Sequence, residues 1–359
     1  MKVLNQNFDR IVTVGALLLV IFATLNPYRL YPSADLFPNI LAGLVVLIAM
    51  STAFFTTDRQ LKLNKSTMTW LLLFAVILIQ PVINNIAYID SLVNPLASLV
   101  CVLLFSIAVM SVNNKHQLLQ QFEIALIVCL ILSFGIQLLQ LYGYNLSINS
   151  LLLTSLGSGR LDANFAQPNQ AAFMFCLAQI GCLYWYELNK KTWWLFIFGI
   201  FSVGIALTLS RTGIIIAFVN ILIFYGLLEL KLNQKLFSIG KLTIVYAVFY
   251  GIGIWFYKLA HTSVTTMTSS ISQDNVIARF NEGSLYMRES LQHQAYLIFI
   301  EQPLTGIGWG NFVQGAINHY DQLEWFAYSE HSHFFVTQIA SELGFLGLLT
   351  FIPLAIFIL

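Results

Sequence analysis

Charge is what this chain has least of. Asp, Glu, Lys and Arg make up 9% of its 359 residues, against a hydrophobic fraction of 58%. Soluble domains carry about 25% charged residues, so a soluble globular protein of this size is excluded. The 17 basic and 16 acidic residues nearly cancel to a net charge of +1. No basic tract is present to hold a polyanion, which argues against a nucleic-acid partner. Cysteine is scarce too. Cys101, Cys129, Cys176 and Cys182 all lie inside apolar runs, and no Cys-x-x-Cys spacing occurs. They read as small packing residues rather than disulfide or metal partners. An internal repeat is missing, and so is a small-residue cleavage site after the first apolar run, which therefore reads as a retained anchor.

What the chain has is apolar length, with a mean hydropathy of +0.77. A helix needs about 20 apolar residues to cross a bilayer. Runs near 11–25, 38–55, 69–83, 93–112, 122–143, 169–187, 193–209, 212–230 and 241–260 approach that length, and a tenth starts near 334 and is still running at Leu359. The expected fold is an all-α polytopic integral membrane protein with about ten transmembrane helices. The expected organisation is a membrane domain over 1–260, a large outer loop over 261–333 and a last helix over 334–359. Ile356–Leu359 is apolar to the end with no polar flank, so truncation within or after the last helix is expected.

The runs 11–25 and 69–83 are short, and a re-entrant segment at either would invert everything downstream. The charges between runs argue against that. With a cytoplasmic N-terminus, the inner segments hold Lys2, Arg10, Arg59, Lys62, Lys65, Lys115, Lys190, Lys191, Lys231, Lys235 and Lys241. The outer side holds only Arg29, Arg160, Arg211, Lys258, Arg279 and Arg288, although it owns the long loop. The positive-inside rule favours this orientation.

Three outer segments carry unusual chemistry. Gly157–Gln170 is polar and glycine-punctuated, and Pro168 is suited to start the next helix. Gln167, Asn169 and Gln170 offer amides at that helix N-terminus, where a cap or a bound anion would both fit. Ser210-Arg211-Thr212-Gly213 joins two apolar runs with almost no loop, holding Arg211 at the interface as a snorkelling anchor or a phosphate ligand. The long loop holds Arg279, a helix-like stretch Tyr286–Glu301 with Arg288, a glycine-rich turn Pro303–Gly310, then Trp325, Phe326 and the cluster Glu330-His331-Ser332-His333. The turn superficially suggests a phosphate-binding glycine loop but lacks the preceding strand and the spacing. His331 and His333 are two residues apart, which on a helix would point them to different sides; no convincing metal-ligand spacing is present. Arginine binds diphosphate through a planar fork of donors, and a neutral histidine can take the proton of an attacking hydroxyl.

The pattern resembles the O-antigen ligase-like superfamily of bacterial membrane glycosyltransferases, and within it the O-linked protein oligosaccharyltransferases. The resemblance rests on His333 and Phe334 followed by nine residues and Gly344-Phe345-Leu346-Gly347, and on Glu342-Leu343-Gly344. It also rests on Ser210–Gly213, on Arg288 with Pro303–Gly310, and on Gln167-Pro168-Asn169-Gln170, and spans roughly residues 150 to 347. Phe334 departs from the Asn, Ser or Gln usual at its position.

The resemblance implies a donor glycan on undecaprenyl diphosphate, presented at the periplasmic face of the bacterial inner membrane, and an acceptor Ser or Thr of a periplasmic or pilin-like protein. It implies His333 as general base or acceptor-orienting group, Arg211 and Arg288 on the diphosphate, and Arg160, Gln167, Asn169 and His331 toward substrate, with no metal and no cofactor. Three alternatives stay open. A ligase would use lipid A-core as acceptor and a polymerase the growing glycan. A transporter or flippase would need charges near the bilayer midplane and paired broken helices.

Overall fold

The computed structural model describes residues 2–25, 36–56, 65–83, 93–142, 160–165, 167–232, 237–264, 284–323 and 328–358. Among them are twelve α-helices and no strand. They are α1 (Lys2–Leu25), α2 (Leu36–Thr56), α3 (Lys65–Ile83), α4 (Val93–Ser111), α5 (Lys115–Leu141) and α6 (Pro168–Asn189). Then come α7 (Trp193–Leu207), α8 (Arg211–Leu232), α9 (Phe237–Val264), α10 (Ser284–Glu301), α11 (Phe312–Asn318) and α12 (Phe335–Ile358). Four are long and apolar enough to cross a membrane: Asn7–Leu25, Lys115–Leu141, Pro168–Asn189 and Gly240–Ala260. Shorter apolar helices cover Ala42–Thr52, Thr67–Ile83, Leu96–Ser111, Trp193–Leu207, Arg211–Gly226 and Phe335–Phe351. Each apolar run read from the sequence overlaps one of these helices. The short run at 69–83 is the greater part of α3, a helix of 19 residues that carries Pro81.

The described residues fall into two compact units. The first comprises Met1–Val12, Gly43–Lys115 and Ile277–Leu359; the second comprises Thr13–Ala42 and His116–Val276.

In the second unit α7 is the central element, packed against α6 and α9, while α8 packs on α6. Its face from Phe198 to Leu207 is almost wholly buried, and Phe201 stacks on Phe175 of α6 at 5.8 Å between ring centres. Within lipid, helices associate through close backbone approach at small residues. That is seen twice: a β-carbon on Gly213 would stand 2.7 Å from Ala172, and one on Gly253 2.7 Å from Ala206. Two buried amides in this core find acceptors through their nitrogens. Gln179 donates to Ser202 Oγ at 2.9 Å, and Gln137 donates to the carbonyls of Leu161 and Gly204 at 3.3 and 3.1 Å.

In the first unit α12 packs on α3 and α10, with Leu73, Ile77, Leu99, Ile339 and Leu343 at the centre. α10 and α11 share a second apolar cluster of Leu291, Ala295, Ile298, Phe312 and Ala316. α12 is not continuous. Gly344 takes φ 64° and ψ −158°, a conformation essentially confined to glycine, and breaks the helix there. The backbone groups freed by the break find partners in the glycine-rich turn. Ile307 and Gly308 N–H donate to the carbonyls of Ser341 and Glu342 at 3.1 and 2.9 Å. Phe345 and Leu346 N–H donate to the carbonyls of Pro303 and Leu304 at 2.8 and 3.1 Å. Irregular backbone in a membrane protein is tolerated where protein satisfies it, and Gln80 of α3 completes the set. Its Nε2 donates to the carbonyls of Thr305 and Glu342, both at 2.8 Å, and its Oε1 accepts from Trp309 N–H at 3.2 Å.

Candidate active site

The histidine cluster lies just before α12, in a turn rather than on a helix. His333 has φ 60°, one of four non-glycine residues in the left-handed region among the described residues. The two-residue spacing therefore does not separate the histidines. The rings of His331 and His333 stand 4.4 Å apart, tilted by 60°, which corrects the helical expectation. Ser329 Oγ lies 3.4 Å from His333 Nε2 and accepts from His331 N–H at 3.3 Å.

The backbone between the histidines is held from two helices. Gln292 of α10 donates to the Ser332 carbonyl at 2.6 Å and accepts from Thr337 Oγ1 at 2.8 Å. Gln338 of α12 accepts from Ser332 N–H at 2.6 Å. Arg288 is four residues before Gln292 on α10, so the two share a helix face. That spacing brings the guanidinium into electrostatic contact with His333. His333 is exposed at the surface, yet its partial desolvation pushes the imidazole below the ordinary histidine value, and the positive fields of His331 and Arg288 push it further. Both effects favour the neutral form, which a general base needs.

In the second unit the structure joins other residues that the sequence pattern singled out. Arg160 donates through Nε to the Thr208 carbonyl and through Nη2 to Asn169 Oδ1, both at 2.9 Å. Ser210 Oγ donates to the same Asn169 oxygen at 2.8 Å and accepts from Gly213 N–H at 3.1 Å, capping α8. Arg211 is the first residue of α8. Gln167 is the exposed residue before α6, with no side-chain cap hydrogen bond, and Pro168 opens the helix as expected. Beside Arg160, Asp162 is buried and bonded to Gln140 Nε2 at 2.9 Å. Burial pushes its carboxyl upward, while Gln140, its own backbone and Arg160 pull it back. Arg160, Asn169 and Ser210 thus form one hydrogen-bonded group, and His331 and His333 lie together within the electrostatic reach of Arg288. Gly157–Gly159, Arg279, Trp325 and Phe326 lie outside the described residues.

A family model described as O-antigen ligase (Wzy_C) matches residues 195–352. Over those residues the chain is similar to the O-antigen ligase family. The ligase match takes in Arg211, Arg288, His331 and His333 and begins after Arg160, Gln167 and Asn169, later than the likeness read from the sequence. No curated protein and no solved structure matches the chain. The ten apolar helices among the described residues, four of them long enough to cross a membrane, together with the ligase-family match, suit a multi-pass membrane protein.

Sequence reasoning passed over Gln80, Gln292 and Gln338. Gln80 carried a signal, as a lone amide within an apolar run. The other two carried one in spacing alone, four residues from Arg288 and from Glu342.

Proposed function

We propose that the protein transfers an oligosaccharide from undecaprenyl diphosphate to a Ser or Thr hydroxyl of a periplasmic or pilin-like protein, at the outer face of the bacterial inner membrane. The match to the O-antigen ligase family over residues 195–352 supports glycan transfer. The single observation that carries the chemistry is His333, set in a left-handed turn with its ring 4.4 Å from that of His331, and favoured in its neutral form by partial desolvation and by the fields of His331 and Arg288. His333 accepts the proton of the attacking hydroxyl. The hydroxyl oxygen forms a bond to the anomeric carbon as the bond from that carbon to the diphosphate oxygen breaks, and undecaprenyl diphosphate leaves with the bonding electrons. Arg288 stabilises the charge gathering on the leaving group. The imidazolium then returns its proton to solvent. His331 stands beside the base to meet substrate. In the second unit, Arg211 is assigned to the donor diphosphate, and Arg160, Gln167 and Asn169 to the donor's sugars, by the sequence pattern.

The second reading keeps the chemistry and changes the acceptor to lipid A-core. The description of the matching family as O-antigen ligase favours it, whereas Gln167-Pro168-Asn169-Gln170 favours protein. Purified protein incubated with lipid-linked glycan and either a pilin-like protein or lipid A-core separates the two. Glycan on lipid A-core and never on protein would sink the first reading. Transfer to neither, with substrates verified by a known enzyme, would sink both.

A further inference from the structure

Glu342 is 3% exposed in a helix that carries no other charged residue. A carboxylate is kept in such a place only if its oxygens are hydrogen-bonded. The partners of this one lie in two directions. Toward α11, Phe312 N–H donates to Oε1 at 3.2 Å and Gly310 N–H donates to the same carboxyl group. Toward the start of α12, Gln338 stands four residues back on the same helix face, where its amide can meet the carboxyl group. The Gln338 oxygen takes the Ser332 N–H at 2.6 Å, which leaves its nitrogen for Glu342. Ser332 is the residue between the two histidines.

We infer that Glu342 is a positioning residue for His333, acting through Gln338: the buried carboxylate orients the amide, and the amide holds the Ser332 N–H so that His333 keeps its left-handed backbone beside Arg288. The inference rests on the reading of His333 as the base. A left-handed backbone at a residue with a β-carbon is strained and persists only where its surroundings over-determine it. Here both backbone groups of the preceding residue, Ser332, are fixed, its N–H by Gln338 and its carbonyl by Gln292. Release of the N–H lets His333 leave its left-handed backbone and move away from Arg288. Because the same carboxylate holds Gly310 and Phe312, one group sets both the glycine-rich turn and the histidine turn.

The polarity of the chain supplies the test. In E342Q, position 342 has one acceptor oxygen, and its amide hydrogens face either Gln338 Nε2 or the N–H groups of Gly310 and Phe312. In Q338E, two carboxylates face each other. In the double variant Q338E/E342Q every donor regains an acceptor. Position 338 accepts from Ser332 N–H and from the amide at 342, whose oxygen accepts from Gly310 and Phe312. A third variant, Q338M, cuts the link to Ser332 and leaves the bonds of Glu342 to Gly310 and Phe312 in place.

The full chain in nanodiscs, labelled at histidine, is titrated by NMR without substrate, with the His333 signal assigned by its loss in H333A. E342Q, Q338E and Q338M are each expected to move the His333 midpoint up toward the ordinary histidine value. They are also expected to lower kcat by about 10- to 100-fold, with KM for a lipid-linked glycan changed far less. The double variant is expected to restore both. An unmoved His333 midpoint in a folded Q338M, or a double variant that melts like wild type yet titrates like E342Q, overturns the inference. Because the titration uses no substrate, it stands apart from the base assignment. That assignment falls instead if H333A keeps full transfer.

Discussion

Gly306 and Gly344 meet backbone to backbone, each at φ 64°. A β-carbon on Gly306 would lie 2.3 Å from the carbonyl carbon of Glu342, and one on Gly344 2.5 Å from that of Leu304. Glycine is thus required at both positions twice over, for the backbone angle and for the approach. The contact locks the turn that precedes α11 against the break in α12, and the histidine turn is tied to the same half of α12 through Gln338.

Gly344→Ala is therefore expected to be severe. Left-handed strain and a backbone clash together should cost about 3 kcal/mol. The measurement is thermal unfolding of the purified protein in detergent, beside Gly226→Ala, where a β-carbon meets nothing within 4 Å. Equal melting temperatures for the two variants would mean that the interlock contributes nothing.

Gln80→Leu keeps the size of the side chain and removes three hydrogen bonds, to Thr305, Trp309 and Glu342. At about 1 kcal/mol for each bond, the expected loss is about 3 kcal/mol. Leu78→Ala, at an exposed position on the same helix, serves as control. If Gln80→Leu unfolds no more easily than the control in a denaturant series, the amide is not what closes the broken helix.

The helices were legible because a bilayer forces long uniform apolar runs, and α6 and α8 begin where Pro168 and Ser210 announce them. The break in α12 was not. Gly344 sits in an apolar run where glycine reads as ordinary, and only its backbone angle reveals the interruption. The Gly344–Gly347 spacing that pointed to His333 therefore marks a helix break docked on the glycine-rich turn. Arg288 could be named from the sequence pattern, but its place beside His333 depends on Gln292 gripping Ser332, a contact between residues 40 positions apart. The histidine pair was misread because the spacing rule assumed a helix that begins only at Phe335.

The neutral imidazole of His333 is the reactive form, so transfer should fail as pH drops through its titration, and that acid limb should lie below the ordinary histidine value. Removing a neighbouring cation removes part of what lowers it. Arg288→Gln and His331→Asn should each move the limb to higher pH, and Arg288→Gln should also weaken use of the donor. His333→Ala should lower kcat by about 100- to 10,000-fold at every pH. A pH–rate profile for the three variants decides. A limb that stays in place in both neighbour variants would detach His333 from the rate.

Arg160 and Asn169 carry two readings, as groups that meet the donor's sugars and as a tie between the segment before α6 and the turn before α8. The second has a direct energetic signature. Asn169 Oδ1 accepts from Arg160 and from Ser210, and Ser210 in turn caps α8. Asn169→Ala removes both bonds, Arg160→Ala removes one of them together with the bond to Thr208, and Ser210→Ala loses the cap at a cost of about 1 kcal/mol. Residues in one hydrogen-bond network do not contribute additively, so a double-mutant cycle of Arg160→Ala and Asn169→Ala on thermal unfolding should give a coupling of about 1 kcal/mol. Arg160→Lys should recover little of it, because an ammonium cannot span two acceptors as the planar fork does. A coupling near zero, together with a raised KM for the lipid-linked donor in both single variants, would assign the pair to the sugars alone.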